Sequence, residues 1–289
     1  VKVLLHAPLH ATLWLYLMKS MPEHEYFIEP KADFEQSGFP RKPVPFTVIS
    51  KSRNDIDVQI ICLHLPSLTI AQILKEYKVP IVWIQYWQTS IPRLQTNYPL
   101  ITTCQTDYSQ RYPNVRQVFI APHPDFWAEK WQGDEEKIFL APKIYSTEPY
   151  VMGIINWLKA KRFPLNIYDK QDPSIPFATW KENLVHSRVL LEISPKHSSM
   201  LLSEAMTIGM PVIVPRLWDY PKTVRDKIDG FVINSMPNLE SLLTKFLKDK
   251  DFAKEYGKRA EERAKELFSV EKQRKIFNEA MEEAINLGI

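Results

Sequence analysis

Glycine is scarce in this chain, 7 residues among 289, while proline numbers 23. Neither a G-x-G-x-x-G turn nor a G-x-x-x-x-G-K-[ST] loop occurs, which excludes a glycine-rich cradle for phosphates. Cysteine is nearly absent, with only Cys62 and Cys104. Each lies within or at the end of a β-branched, apolar run and reads as a small core residue, and two distant cysteines fit a reducing compartment. Long apolar runs are missing too: stretches such as 13–18 and 58–62 fall far short of the roughly 20 residues that a spanning helix requires. The expectation is a cytoplasmic protein without a signal peptide, whose contact with a membrane, if it has one, is peripheral. Nor is there an excess of charge. The 37 basic and 34 acidic side chains leave +3, interleaved along the sequence, so no nucleic-acid partner is expected.

What is there is an ordinary globular balance, 45% hydrophobic and 25% charged, in a chain long enough for two domains. Residues 2–7 (KVLLHA) predict a first strand, stopped by Pro8. Leu9, Leu13, Trp14, Leu17 and Met18 then recur at helical spacing, predicting a helix over 10–20. Residues 22–45 read as loop with at most one short strand. Further on, 57–63, 80–84, 100–103 and 115–120 predict strands and 70–77 a helix, the alternation of a parallel sheet covered by helices. Residues 121–131 (APHPDFWAEKW), rich in proline and aromatics, predict a domain connection.

A second series starts at Lys137. Strands are predicted at 137–140, 165–168, 188–193 and 211–215, and helices at 150–160, 177–186 and 199–208, the last ended by Gly209. In the first of these helices Val151, Ile154, Ile155 and Leu158 share a face. This again is a doubly wound α/β pattern. The tail reads as helical: Leu239, Leu242, Leu243, Phe246 and Leu247 form an apolar face with Asn238 as a plausible N-cap. A further helix covers 251–267, and Ser269 caps a last one carrying Ile276, Phe277, Ala280, Met281, Ala284 and Ile285. The expected domains are 1–130, 131–268, and a terminal helix, 269–289, packing back toward the first.

Residues 193–233, ISPKHSSMLLSEAMTIGMPVIVPRLWDYPKTVRDKIDGFVI, resemble the retaining glycosyltransferases of the GT4-like group. There a strand ends in Pro-Ser, a short loop opens a helix ending Leu-Glu-Ala-Met-x-x-Gly, and Pro-Val-Ile starts the next strand. Ser203-Glu204-Ala205-Met206-Thr207-Ile208-Gly209-Met210-Pro211-Val212-Ile213 matches that pattern, and Pro221 and Asp229-Gly230-Phe231-Val232 fall in register with its later parts. Upstream, 139–144 (FLAPKI) is similar to a strand followed by Gly-Arg-Leu, with Lys143 at the arginine position, and 118–127 resembles the group's linker. The resemblance implies the GT-B fold: two Rossmann-like, doubly wound domains facing a cleft, here with a C-terminal helical tail. It also implies a nucleoside-diphosphate sugar as donor substrate, with no cofactor and no metal.

Elementary geometry supports an anion site at the same place. A strand leading directly into a helix points the helix's free N–H groups at whatever lies above the carboxyl edge of the sheet. Ser198 and Ser199 stand at that junction, where they can cap the helix or donate hydroxyls to a phosphate, and the adjacent His197 is grouped with them as a donor contact. For Glu204 the resemblance implies hydrogen bonds to the vicinal hydroxyls of a ribose; the alternative is a surface helix glutamate. Lys143, at a strand end on the same edge, can neutralise a departing diphosphate.

The chain departs from the group's pattern at several positions. Lys196 stands where the first glutamate of the paired motif belongs, Lys222 replaces a glutamate after proline, and Trp218-Asp219 replaces a glycine pair. Glu148-Pro149 stands for Glu-Lys-Gly, and Pro8-Leu9-His10 for the glycines after the first strand. These changes leave three readings open: a transferase with a rearranged site in which Lys196 supplies the missing cation to the phosphates, an inverting variant with His10 (less so His123) as base, or a protein that binds without catalysing. His6, His10 and His123 taken singly suit structural roles.

The first domain is expected to hold the acceptor. Trp14, Trp83, Tyr98, Trp127 and Trp131 suit cores as well as sugar rings, and Tyr86 and Trp87, after the strand at 80–84, are the acceptor candidates. The function expected is transfer of a hexose to a sugar, lipid-linked or protein acceptor. The alternatives are a non-catalytic nucleotide- or sugar-binding module and, more remotely, a nucleotide-sugar epimerase.

Overall fold

The computed structural model describes residues 1–6, 11–28, 46–48, 55–63, 67–85, 97–102, 115–142, 149–168, 175–193, 200–217 and 220–288. Two compact units emerge: one from Val1–Ser37, Lys42–Ile120 and Ser269–Ile289, the other around Ala121–Phe268.

The first unit is built on a sheet of β1 (Lys2–His6), β2 (Glu25–Ile28), β3 (Phe46–Val48), β4 (Val58–Cys62), β5 (Ile81–Gln85), β6 (Leu100–Thr102) and β7 (Val115–Gln117). All pairings are parallel and the order is β3-β2-β1-β4-β5-β6-β7. The direction of travel reverses between β1 and β4. Right-handed crossovers therefore place α1 (Ala11–Ser20) and α2 (Ser67–Glu76) on opposite faces. Burial on both faces is why β4 and β5 are apolar throughout except for Gln59 and Gln85, with every residue buried.

The second unit carries β8 (Glu135–Leu140), β9 (Leu165–Ile167), β10 (Ser187–Leu191), β11 (Val212–Pro215) and β12 (Phe231–Ile233), again all parallel, in the order β12-β11-β10-β8-β9. Its switch point lies between β8 and β10. Helices α3 (Pro149–Ala160), α4 (Phe177–His186), α5 (Met200–Ile208), the single turn α6 (Tyr220–Thr223), α7 (Met236–Lys248) and α8 (Lys250–Leu267) accompany it. The predicted face of α3 is its buried one, Val151, Ile154, Ile155 and Leu158, packed with Ile138, Leu140, Val189 and Leu243. Burying each such side chain stabilises by about 1.5–3 kcal/mol.

The last helix, α9 (Val270–Leu287), belongs to the first unit and packs on α1 and β5. Ser269 caps it by accepting from the Lys272 N–H at 3.0 Å. Its Gln273 amide donates to Ser20 Oγ at 2.8 Å, Arg274 pairs with Glu23 at 3.0 Å, and Arg116 of β7 pairs with Glu283. Tyr98 donates to the Gly288 carbonyl at 2.6 Å. One expected cap is corrected: α7 begins at Met236 with Ser235 in the cap position and proline in its first turn, so Asn238 lies inside the helix. The fixed φ of Pro237 starts the helix ahead of the asparagine. Strands β3 and β12, three residues each, were not expected. Among the described residues no helix is long and apolar enough to cross a membrane.

Gly209 ends α5 at φ +85°, where the Met210 N–H reaches back to the Ala205 carbonyl at 2.9 Å. Against it lies Gly257 of α8: a Cβ there would stand 2.2 Å from the Gly209 oxygen. Gly153 on α3 faces open space instead. Gly257→Ala is expected to lower unfolding free energy by about 1–3 kcal/mol through overpacking. Gly153→Ala is expected to raise it by about 0.5–1 kcal/mol through helix propensity. Urea titrations of the two variants check the contrast, and equal effects would contradict the packing described.

Candidate functional site in the second unit

Two chain connections leave the carboxyl edge of the second sheet at its switch point. Strand β8 ends at Leu140 and the chain enters α3 at Pro149; β10 ends at Leu191 and the chain enters α5 at Met200. Because β8 connects to one side and β10 to the other, the helices α3 and α5 lie on opposite faces, and both direct their amino ends to this edge. Neither has an acidic residue in its first turn. A helix amino end carries free N–H groups and the positive end of the helix dipole, which suits an anionic group at this edge. Tyr150, in the first turn of α3, is 41% exposed, and partial desolvation raises its phenol above the ordinary value.

Glu204 lies one turn into α5 and is 6% exposed. The surface-glutamate alternative is thereby ruled out: Leu201, Leu202, Ser203, Ala205, Met206 and Ile208 of the same helix are buried too. A carboxylate removed from water is costly unless other groups compensate it, so its position among buried neighbours is a specific feature. A second acid accompanies it. Glu192, directly after β10, is 3% exposed, and its N–H donates to the Ile213 carbonyl at 2.9 Å in the ladder with β11. Neither acid is without a partner. Sequence reasoning passed over Glu192; the available signal was an acid interrupting the apolar run VLLEI at the carboxyl end of a central strand.

The same edge carries Arg216, next after β11, whose N–H donates to the Ile233 carbonyl at 2.9 Å and whose guanidinium stands 3.9 Å from Asp226. Asp226 itself accepts from the Val232 N–H at 2.9 Å. The turn behind it is locked by fully buried Asp229, which accepts from the Arg225 N–H at 2.7 Å and pairs with the Arg225 guanidinium. Gly230 follows because a Cβ would meet Val224 Cγ1 at 2.6 Å and the Val212 oxygen at 2.9 Å. Thus the Asp-Gly-Phe-Val stretch singled out in the sequence fixes the return into β12. The Lys222 carbonyl accepts from Arg263 at 3.0 Å.

Of the residues proposed from sequence, only Glu204 falls in the described part of the site. His10, Tyr86, Trp87, Lys143, Lys196, His197, Ser198 and Ser199 lie outside the described residues, as do Cys104, Trp218 and Asp219. His6 ends β1, 4% exposed, with Nε2 at 3.1 Å from Gln59 Oε1. The Gln59 amide nitrogen is committed to the carbonyls of Tyr77 and Val79, so its oxygen accepts and the His6 proton is assigned to Nε2. His123 Nδ1 accepts from the Asp125 N–H at 3.3 Å. Trp14 and Trp127 are buried, Trp131 donates to the Ser187 carbonyl at 2.7 Å, and Cys62 is buried in β4. Among the described residues no three His, Cys, Asp or Glu side chains gather as a metal-holding group.

This fold is the GT-B fold. No protein-family model and no curated protein sequence matches the chain. Solved structures do. A glycosyltransferase from Rickettsia africae superposes with a TM-score of 0.70 at 10% identity, covering 98% of each chain. Anabaena HepE, solved in complex with UDP and glucose, gives 0.68 at 10% identity over 98% of this chain and 99% of its own. Sucrose-phosphate synthase from Thermosynechococcus elongatus gives 0.68 at 10% identity over 99% of both. At such identity the likeness establishes architecture, and the chemistry is argued from this chain's own residues.

Replacing Asp229 by alanine removes the acceptor for two donors in a buried turn, and unfolding free energy is expected to fall by about 2–4 kcal/mol. Equilibrium denaturation measures it; a loss under about 0.5 kcal/mol, the usual surface range, would show that the turn does not depend on the aspartate.

Proposed function

We propose that the protein is a glycosyltransferase that moves a hexose from a nucleoside-diphosphate sugar to a sugar, lipid-linked or protein acceptor. The observation that carries this reading is a buried carboxylate, Glu204, one turn inside a helix whose amino end meets the carboxyl edge at the switch point of a parallel sheet. Ligands of open α/β sheets bind at such points. The reading draws support from HepE, a protein of the same fold solved with UDP and glucose.

In this proposal Glu204 accepts from the ribose hydroxyls, while Lys143, His197, Ser198 and Ser199 hold the diphosphate together with the helix amino ends. The bond from the anomeric carbon to the diphosphate oxygen breaks, and an acceptor oxygen bonds to that carbon as its proton leaves. Lys196 and His10 are the groups assigned to the reacting centre, and Tyr86 and Trp87 to the acceptor. Residues 131–268 form the donor domain and 1–130 the acceptor domain, in a cytoplasmic protein that uses no metal. A second reading, a nucleotide- or sugar-binding module without catalysis, draws on Lys196 standing where the resembling enzymes have an acid.

Calorimetric titration with UDP, GDP and ADP tests the donor site. One nucleotide is expected to bind saturably, and Glu204→Gln to weaken it at least tenfold, about 1.4 kcal/mol. Undiminished affinity in a folded Glu204→Gln protein would overturn the assignment. Lys196→Glu separates the two readings. A working lysine-based site loses donor affinity on charge reversal, whereas a vestigial one does not respond.

A further inference from the structure

The sheet of the first unit has an unusual row. Gln85, Thr102 and Gln117 are the last residues of β5, β6 and β7, and they are register partners across three neighbouring strands. Partners in a parallel ladder point to the same face, so these neutral polar side chains stand side by side at the carboxyl edge. Gln85 is 0% and Thr102 1% exposed, while Gln117 is exposed at the end of the row. Trp83, two residues before Gln85 on the same face, lies roughly 7 Å deeper along the strand. It is 2% exposed, and its indole Nε1–H has no hydrogen-bond partner among the described residues.

A buried donor left unsatisfied is rare and calls for a physical reason. Phenylalanine or leucine would fill the same core position among Ile61, Ile81 and Leu100 without an N–H to satisfy. The charge pattern narrows what would satisfy it. No lysine, arginine, aspartate or glutamate belongs to the row or to the positions before it on that face, Ile61, Trp83, Leu100 and Val115. Amide, hydroxyl and indole N–H groups match the donor and acceptor pattern of sugar hydroxyls, whereas a phosphate or carboxylate calls for a cation.

We propose that this row, with the Trp83 N–H behind it, is a subsite for an uncharged polyhydroxylated ligand, the glycosyl acceptor. The inference rests on the transferase reading above and narrows its acceptor to a neutral saccharide. Trp83 Nε1 donates to one ligand hydroxyl, and Gln85 and Thr102 border the hydroxyls beside it.

The test uses the full chain labelled with 15N-tryptophan, with the Trp83 indole signal assigned by its loss in Trp83→Phe. Glucose, maltose, sucrose and trehalose are titrated, then glucose 6-phosphate and glucuronate. At least one neutral sugar is expected to shift the Trp83 signal saturably and downfield, with the anionic sugars at least fivefold weaker. Trp83→Phe, which keeps a ring and removes the N–H, should weaken that sugar at least fivefold in calorimetry while its melting temperature holds or rises. The proposal is overturned if no neutral sugar moves the signal, if the anionic sugars bind better, or if Trp83→Phe binds unchanged; in the first case the N–H serves a water molecule only. UDP titrated into the same sample keeps the two failures apart. UDP binding without any Trp83 response to sugars removes this subsite and leaves the transferase reading, and the converse result removes the donor site alone.

Discussion

Parallel strands cannot be joined by tight turns, and every return crossing must carry the chain from the carboxyl edge of the sheet back to its amino edge. In both units the crossing is often a helix, and right-handedness decides the face on which that helix lies. This constraint governs the rest of the molecule. It buries β4, β5 and β10 on both faces, it sends the amino ends of α3 and α5 to one edge, and it makes that edge the place where polar groups can serve a ligand. The second sheet reverses direction between β8 and β10, so these two helix ends flank the point of reversal from opposite faces.

With so few glycines, each that is placed against another backbone has a definable task. Gly209 takes a positive φ to end α5, and Gly257 lets α8 approach the carbonyl of that same residue. Gly230 lets the turn held by Asp229 sit against Val212 and Val224. All three support α5, β11 and β12.

Buried polar side chains occur in both units. Glu192 and Glu204 bracket the connection from β10 to α5, and Gln85 and Thr102 close the edge of the first sheet. In the second unit these two buried acids lie near the amino end of α5, and in the first the two buried groups at the sheet edge are neutral. Such a division fits a charged nucleotide on one and an uncharged sugar on the other, which is how the proposed reaction distributes its substrates.

Much of this was legible in the chain. The alternation of apolar runs and helical spacing revealed two α/β series and the helical tail, because period 2 and period 3.6 are local properties. Val151, Ile154, Ile155 and Leu158 were read as a face and are one; Ser269 was read as a cap and is one. Glu204 stood out through its neighbours Ala205, Met206 and Gly209. The rest required tertiary structure. Strand order, and with it the position of each switch point, depends on pairings between segments far apart in sequence, such as Leu4 with Gln59 and Leu190 with Val212. Glu192 looked like one acid among many until the sheet buried it, and the Trp83 indole, without a hydrogen-bond partner among the described residues, became visible only once its core was assembled. Local chemistry determined which elements form; long-range packing decided which polar groups they leave buried, because desolvation is a property of everything that surrounds a side chain.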